Sequence, residues 1–68
     1  MEEKYIELNT FLKIKGLANS GGEAKNRIRN EEVKVNGEIE TRNKRKLHIG
    51  DKIEIAGKRF FLKEEEIK

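Results

Sequence analysis

The side chains best equipped for chemistry in this sequence are cations. Lys25 and Arg29 stand four residues apart, which places them on one face of a helix, and no acid sits four residues before Lys25. Residues 41–46 read TRNKRK, so Arg42, Lys44, Arg45 and Lys46 surround Asn43 with no carboxylate inside the run. Cations at this density suit phosphate oxygens, and a plain solvated surface is the alternative. Asn43 adds a donor and an acceptor suited to a base edge or a 2′-hydroxyl. Other chemistries are poorly served. The chain has no cysteine and one histidine, His48, which lies between Leu47 and Ile49 and on an alternating strand points away from the core. No second histidine completes a metal site, and no histidine–carboxylate arrangement activates Ser20 as a nucleophile. The expectation is a protein without catalysis, metal or cofactor.

Charge and length sharpen this. Charged residues make up 43% of the chain, against about 25% in average domains, for a formal net charge of +3. Acids gather in MEE at the start and EEE at residues 64–66, leaving the middle basic, which points to a polyanionic partner. The 68 residues suffice for one small domain spanning 1–68. No apolar run approaches the ~20 residues that span a bilayer, and no signal-peptide pattern is present. A cytoplasmic monomer with no membrane attachment is expected.

The elements that position these cations follow from local signals. KYIE at residues 4–7 suits a short edge strand. Asn9 can cap a first helix carrying Phe11, Leu12 and Ile14, followed by Leu17 and Ala18, with Gly16 closing it in a left-handed conformation. Ser20 followed by Glu23 forms a capping box that starts a second helix reaching about Asn30. At 100° per residue Ala24 and Ile28 share its inner face, while Gly22, Lys25, Asn26 and Arg29 fall outward. Two adjacent glycines, Gly21 and Gly22, occupy the first turn despite a cost of roughly 1 kcal/mol each relative to alanine. Close approach of a phosphate to the exposed first-turn amides would account for them. The period then switches to two: Val33 and Val35, an Asn36-Gly37 hairpin turn, Ile39, the basic loop, a Gly50-Asp51 turn, Lys52 to Ile55, an Ala56-Gly57 turn, and a last strand from Arg59 to Leu62. EEEIK reads as a frayed, solvated tail. Two N-terminal helices on a small, mostly antiparallel sheet make an α+β fold.

Taken together, LNTFLKIKGLANS, EAKNRIRNEEVKVNG and IGDKIEI resemble the S4-like RNA-binding domain, from Leu8 to Ile55. The module also occurs in pseudouridine synthases, tyrosyl-tRNA synthetases and a heat-shock protein that binds ribosomal RNA. Short stand-alone members without a catalytic domain match best in length and in the glycine-rich helix start. The resemblance implies a compact RNA-binding face made by the two helices and the hairpin, with phosphate contacts from Lys25 and Arg29. Lys34 and the 42–46 loop would support them. Larger members commonly carry a basic residue where this chain has Gly21.

The candidate RNA-binding set is therefore Ser20, Gly21, Gly22, Lys25, Asn26, Arg29, Lys34, Arg42, Asn43, Lys44, Arg45 and Lys46. The resemblance implies structured RNA of the ribosomal or transfer class as partner, with ribosome association as one setting. A protein adaptor whose basic face meets an acidic partner is the alternative, and non-specific DNA binding is a third reading. Tyr5, Phe11, Phe60 and Phe61 are the only aromatics, and one of the last two must turn away from the core on a strand.

Overall fold

Asn36 and Gly37 both adopt left-handed backbone, with φ of 53° and 87°, the geometry of a two-residue type I′ turn. In this computed structural model, which describes residues 4–67, that turn sets the register of the main sheet. The elements in chain order are β1 (Ile6–Glu7), α1 (Leu8–Ile14), α2 (Gly21–Arg29), β2 (Val33–Val35), β3 (Glu38–Ile39), β4 (Lys46–Leu47), β5 (Lys52–Ile55) and β6 (Lys58–Phe61), then a short 3-10 turn at Glu64–Glu66. The N-terminal MEE of residues 1–3 and Lys68 lie outside the described part.

Four strands form an antiparallel sheet in the order β3-β2-β5-β6, and β1 pairs separately with β4. In the main sheet Val33 lies opposite Ile55, Lys34 opposite Glu54, and Val35 opposite Ile53. The valines and isoleucines are buried, so their face is the inner one, and the helices cover it. Leu8, Phe11 and Leu12 of α1, Ala24 and Ile28 of α2, and Leu47 of β4 complete one core. Two helices packed on antiparallel strands give the α+β architecture expected from the sequence.

Several local expectations change. Asn9 does not cap α1: the N-cap position is Glu7, without a side-chain hydrogen bond, and Asn9 sits in the first turn. The Thr10 amide, third in the helix, still donates to Asn9 Oδ1 at 2.8 Å, while the two amides before it go elsewhere. The Leu8 amide donates to the Arg45 carbonyl at 2.9 Å and the Asn9 amide to the Asn43 carbonyl at 3.1 Å. Backbone from the basic loop thus replaces the cap. Ile14 is exposed, because the stripe of Leu8, Phe11 and Leu12 leaves it about 120° from the buried side. The edge strand is shorter than expected and joins β4 rather than the main sheet. His48 and Ile49 lie beyond β4, and the His48 amide donates to the Asp51 carboxylate at 2.8 Å.

The C-terminal acids are not simply a solvated tail. Glu66 pairs with Lys15 at 3.0 Å, and Ile67 packs against the core. Lys15 also lies 5.8 Å from the ring centroids of both Phe11 and Phe60. The chain end is therefore tied to the close of α1 by a partly buried ion pair over an aromatic floor.

The β5–β6 turn repeats the type I′ geometry with a less suitable residue. Ala56 has φ of 53° and Gly57 of 76°. A left-handed alanine costs roughly 1 kcal/mol, and asparagine tolerates that region better. Ala56→Asn is expected to stabilise the fold by about 0.5–1 kcal/mol. Thermal melting checks this, and an unchanged or lower midpoint would show that the turn is not strained.

Candidate nucleic-acid interface

The start of α2 is built around Ser20. Its backbone is extended, and its hydroxyl oxygen accepts from the Glu23 amide at 3.2 Å. That bond satisfies the third amide of the helix. The Gly21 and Gly22 amides come before it and have no acceptor among the described residues. Neither glycine has a positive φ. A Cβ added at Gly21 would meet nothing within 4 Å, and at Gly22 only the Ser20 hydroxyl oxygen at 3.9 Å. The fold itself therefore does not require glycine at either position.

Beyond this turn α2 sends its cations outward. Lys25, Asn26 and Arg29 are exposed, as the helical spacing requires. Lys25 and Arg29 have no ion-pair partner among the described residues, whereas Arg27 pairs with Glu32 at 3.2 Å. The last turn also carries Arg27 and Arg29 at the negative end of the helix dipole.

The basic loop is organised by an acid that its own sequence lacks. Glu40 follows β3 and is buried, with its amide donating to the Val33 carbonyl at 2.9 Å. Its carboxylate accepts from the Arg42 amide at 2.9 Å, from Arg42 Nε at 3.0 Å and Nη2 at 3.1 Å, and from Arg45 Nη1 at 2.6 Å. The side-chain hydrogen bonds from Arg42 hold the Glu40 carboxyl down to about 2, against burial that would raise it, and Arg45 adds to the lowering. The same contact raises the Arg42 guanidinium above its usual range.

These bonds divide the loop cations by role. Arg42 and Arg45 have guanidinium groups engaged with Glu40, although Arg42 stays mostly solvent-facing. Lys44 is exposed and has no ion-pair partner among the described residues. Lys46 places its ammonium 4.8 Å from the Tyr5 ring centroid. Asn43 differs from the expectation of a side chain offered to a base: its Oδ1 is shielded from solvent, with no hydrogen-bond donor.

Lys34 also stands apart from its expected companions. It alternates with buried Val33 and Val35 and so points from the sheet face opposite the helices. The structure thus keeps Lys25, Asn26 and Arg29 together on α2 with the open amides of Gly21 and Gly22, and sends Lys34 the other way. Glu40 was the site residue that the sequence reading missed. Its signal is an acid two residues before Arg42 and five before Arg45. Among the described residues no group of three or more histidines and carboxylates is arranged to hold a metal ion. No helix of the described residues is long and apolar enough to cross a membrane.

Comparison with known proteins adds family context. The S4 domain family profile matches residues 1–67. The chain is 42% identical over 57 residues to a probable ribosome maturation protein, RlbA, of Bacillus subtilis, covering 84% of this chain and 80% of that one. It is 40% identical over 53 residues to a putative RNA-binding protein, YbcJ, of Escherichia coli, covering 78% of this chain and 76% of that one.

The Glu40 cluster has a pH signature. Its pKa falls on folding, so its stabilisation is complete above the ordinary value of 4.5 and is lost as pH drops toward about 2. The size is on the order of 3 kcal/mol or less, since its main partner is exposed. Glu40→Gln is expected to be less stable at neutral pH and to lose most of the stability change between pH 5 and 2. Denaturant unfolding at several pH values checks this, and parallel wild-type and variant curves would contradict it.

Proposed function

Because the chain belongs to the S4 domain family, we propose that it acts as a single RNA-binding domain, without catalysis, on structured RNA of the ribosomal or transfer class. The carrying observation is the pairing of unpartnered cations with unpartnered amides on α2. Lys25 and Arg29 supply charge to phosphates, and the Gly21 and Gly22 amides offer two donors at the positive end of the helix dipole. The missing Cβ atoms let a phosphate approach the backbone. Lys44 and Lys46 extend the charge along the basic loop, with Arg42 and Arg45 shaping it through Glu40. Glu23 adds a carboxylate near the amides, so Lys25 must offset it when a phosphate binds.

Recognition on this reading rests on phosphate geometry and RNA shape, with few base-edge contacts. A ribosomal setting in the cytoplasm fits both the charge and the name of the Bacillus relative. A protein adaptor would use the same cations on an acidic partner.

Salt and nuclease separate these readings. Lys25→Ala and Arg29→Ala are each expected to lower affinity for a folded RNA roughly fivefold and to reduce the slope of log affinity against log salt by about 1. A salt-insensitive complex, or one that survives nuclease, would favour the adaptor. Equal affinity for duplex DNA of the same length would indicate non-specific binding.

The glycines give an independent test. Gly22→Ala is expected to fold and to gain up to about 1 kcal/mol of stability. Gly22→Glu is expected to fold and to lose most RNA affinity. Undiminished affinity in Gly22→Glu would remove the helix start from the interface.

A further inference from the structure

The main sheet has a second face, turned away from the buried side of Val33, Val35, Ile53 and Ile55. Phe60 turns inward and meets Phe11 edge to face, with ring centroids 6.2 Å apart. Its neighbour Phe61 therefore points outward, and it is 59% exposed. The strand register fixes its surroundings. Lys52 lies directly opposite Phe61 on β5, while Arg59 sits two residues earlier on β6. Lys34, Glu54 and Arg59 form the adjacent row across three strands. Glu54, the one carboxylate in these two rows, pairs with Lys52 at 3.5 Å. Arg59 and Lys34 have no ion-pair partner among the described residues. A shallow groove at one end of this face is lined by Glu32, Lys34, Glu54 and Arg59.

Building on the RNA-binding reading, we propose that this sheet face is a second RNA-contacting surface. Phe61 stacks an unpaired base there, and Lys52, Arg59 and Lys34 hold the flanking phosphates. An aromatic face accepts any base, but only one whose own faces are free, so the ligand is a single-stranded segment. Charge selects RNA over a second copy of this chain. Self-association would set three cations against three cations, and the carboxylates at hand, Glu54 and Glu32, are already paired with Lys52 and Arg27. β6 is an edge strand, and Lys58 within it and Lys63 just after it further oppose strand-to-strand pairing. Both surfaces lie outside the shared core, since α2 turns Ala24 and Ile28 into it and the sheet turns Val33, Val35, Ile53 and Ile55 into it. A folded RNA element on α2 and its unpaired extension on the sheet would together enclose the domain.

The test uses a blunt RNA hairpin and the same hairpin carrying a single-stranded oligouridine tail. For wild type, the tail should raise affinity. Phe61→Ala should lose about tenfold in affinity for the tailed RNA and keep its affinity for the blunt hairpin. Phe61→Tyr, which retains the ring, should behave as wild type, and ultraviolet crosslinks from the tail should map to the peptide containing Phe61. Phe61 is exposed, so both variants are expected to fold, and circular dichroism melting checks this. Unchanged tailed-RNA affinity in Phe61→Ala overturns the second surface, while an Arg29-dependent hairpin affinity leaves the α2 reading standing. A wild-type dimer that Phe61→Ala dissolves overturns it in favour of a second copy. Failure of wild type to bind either RNA overturns both readings.

Discussion

A carboxylate removed from water costs several kcal/mol unless cations and hydrogen bonds meet it, and among the described residues Glu40 is where that demand is strongest. Arg42 meets it with a two-pronged guanidinium contact plus its own amide, and Arg45 adds a third side-chain bond. This arrangement draws the chain after β3 into a fixed curve. The curve in turn presents the Asn43 and Arg45 carbonyls to the first amides of α1. One buried charge therefore links the end of the hairpin, the shape of the basic loop and the start of the first helix.

That linkage separates two kinds of cation that look alike in a charge count. Arginine suits the structural role, because its planar fork matches a carboxylate at two points and its charge is never lost. Lysine holds its charge at the end of a flexible stem and keeps it hydrated, which suits mobile contacts to a phosphate backbone. The loop follows this division. Its two arginines face Glu40, while Lys44 faces solvent and Lys46 lies against Tyr5. On α2 the division holds only in part: Arg27 is held by Glu32 and Lys25 stays open, but Arg29 also stays open.

What the sequence made legible was the chemistry of near neighbours. Asn36-Gly37 specified its turn, Ser20 capped the amide three residues on, and the spacing of Ala24 and Ile28 named the buried face of α2. The outward set of Gly22, Lys25, Asn26 and Arg29 followed from the same arithmetic. What escaped was decided by residues far apart in the chain. The start of α1 moved ahead of Asn9 because carbonyls of residues 43 and 45 accept its first two amides, and Glu66 left the solvent because Lys15 waits for it. Lys34 pointed outward as its alternation required, but only the packing of helices on the opposite sheet face showed that it leaves the α2 surface. Asn43 turned inward for a similar reason, since its backbone was already committed to α1.

The borrowed cap of α1 also bears on how the molecule comes into being. A seven-residue helix lies far below the length that holds together alone in water, and this one lacks a side-chain cap of its own. Its first two amides find acceptors only when residues 43–45 are bent around Glu40. Apart from those residues, α1 has neither the length nor the acceptors to hold itself together. The first helix and the basic loop therefore depend on each other for their order. Such long-range closure slows folding relative to a chain built from local contacts.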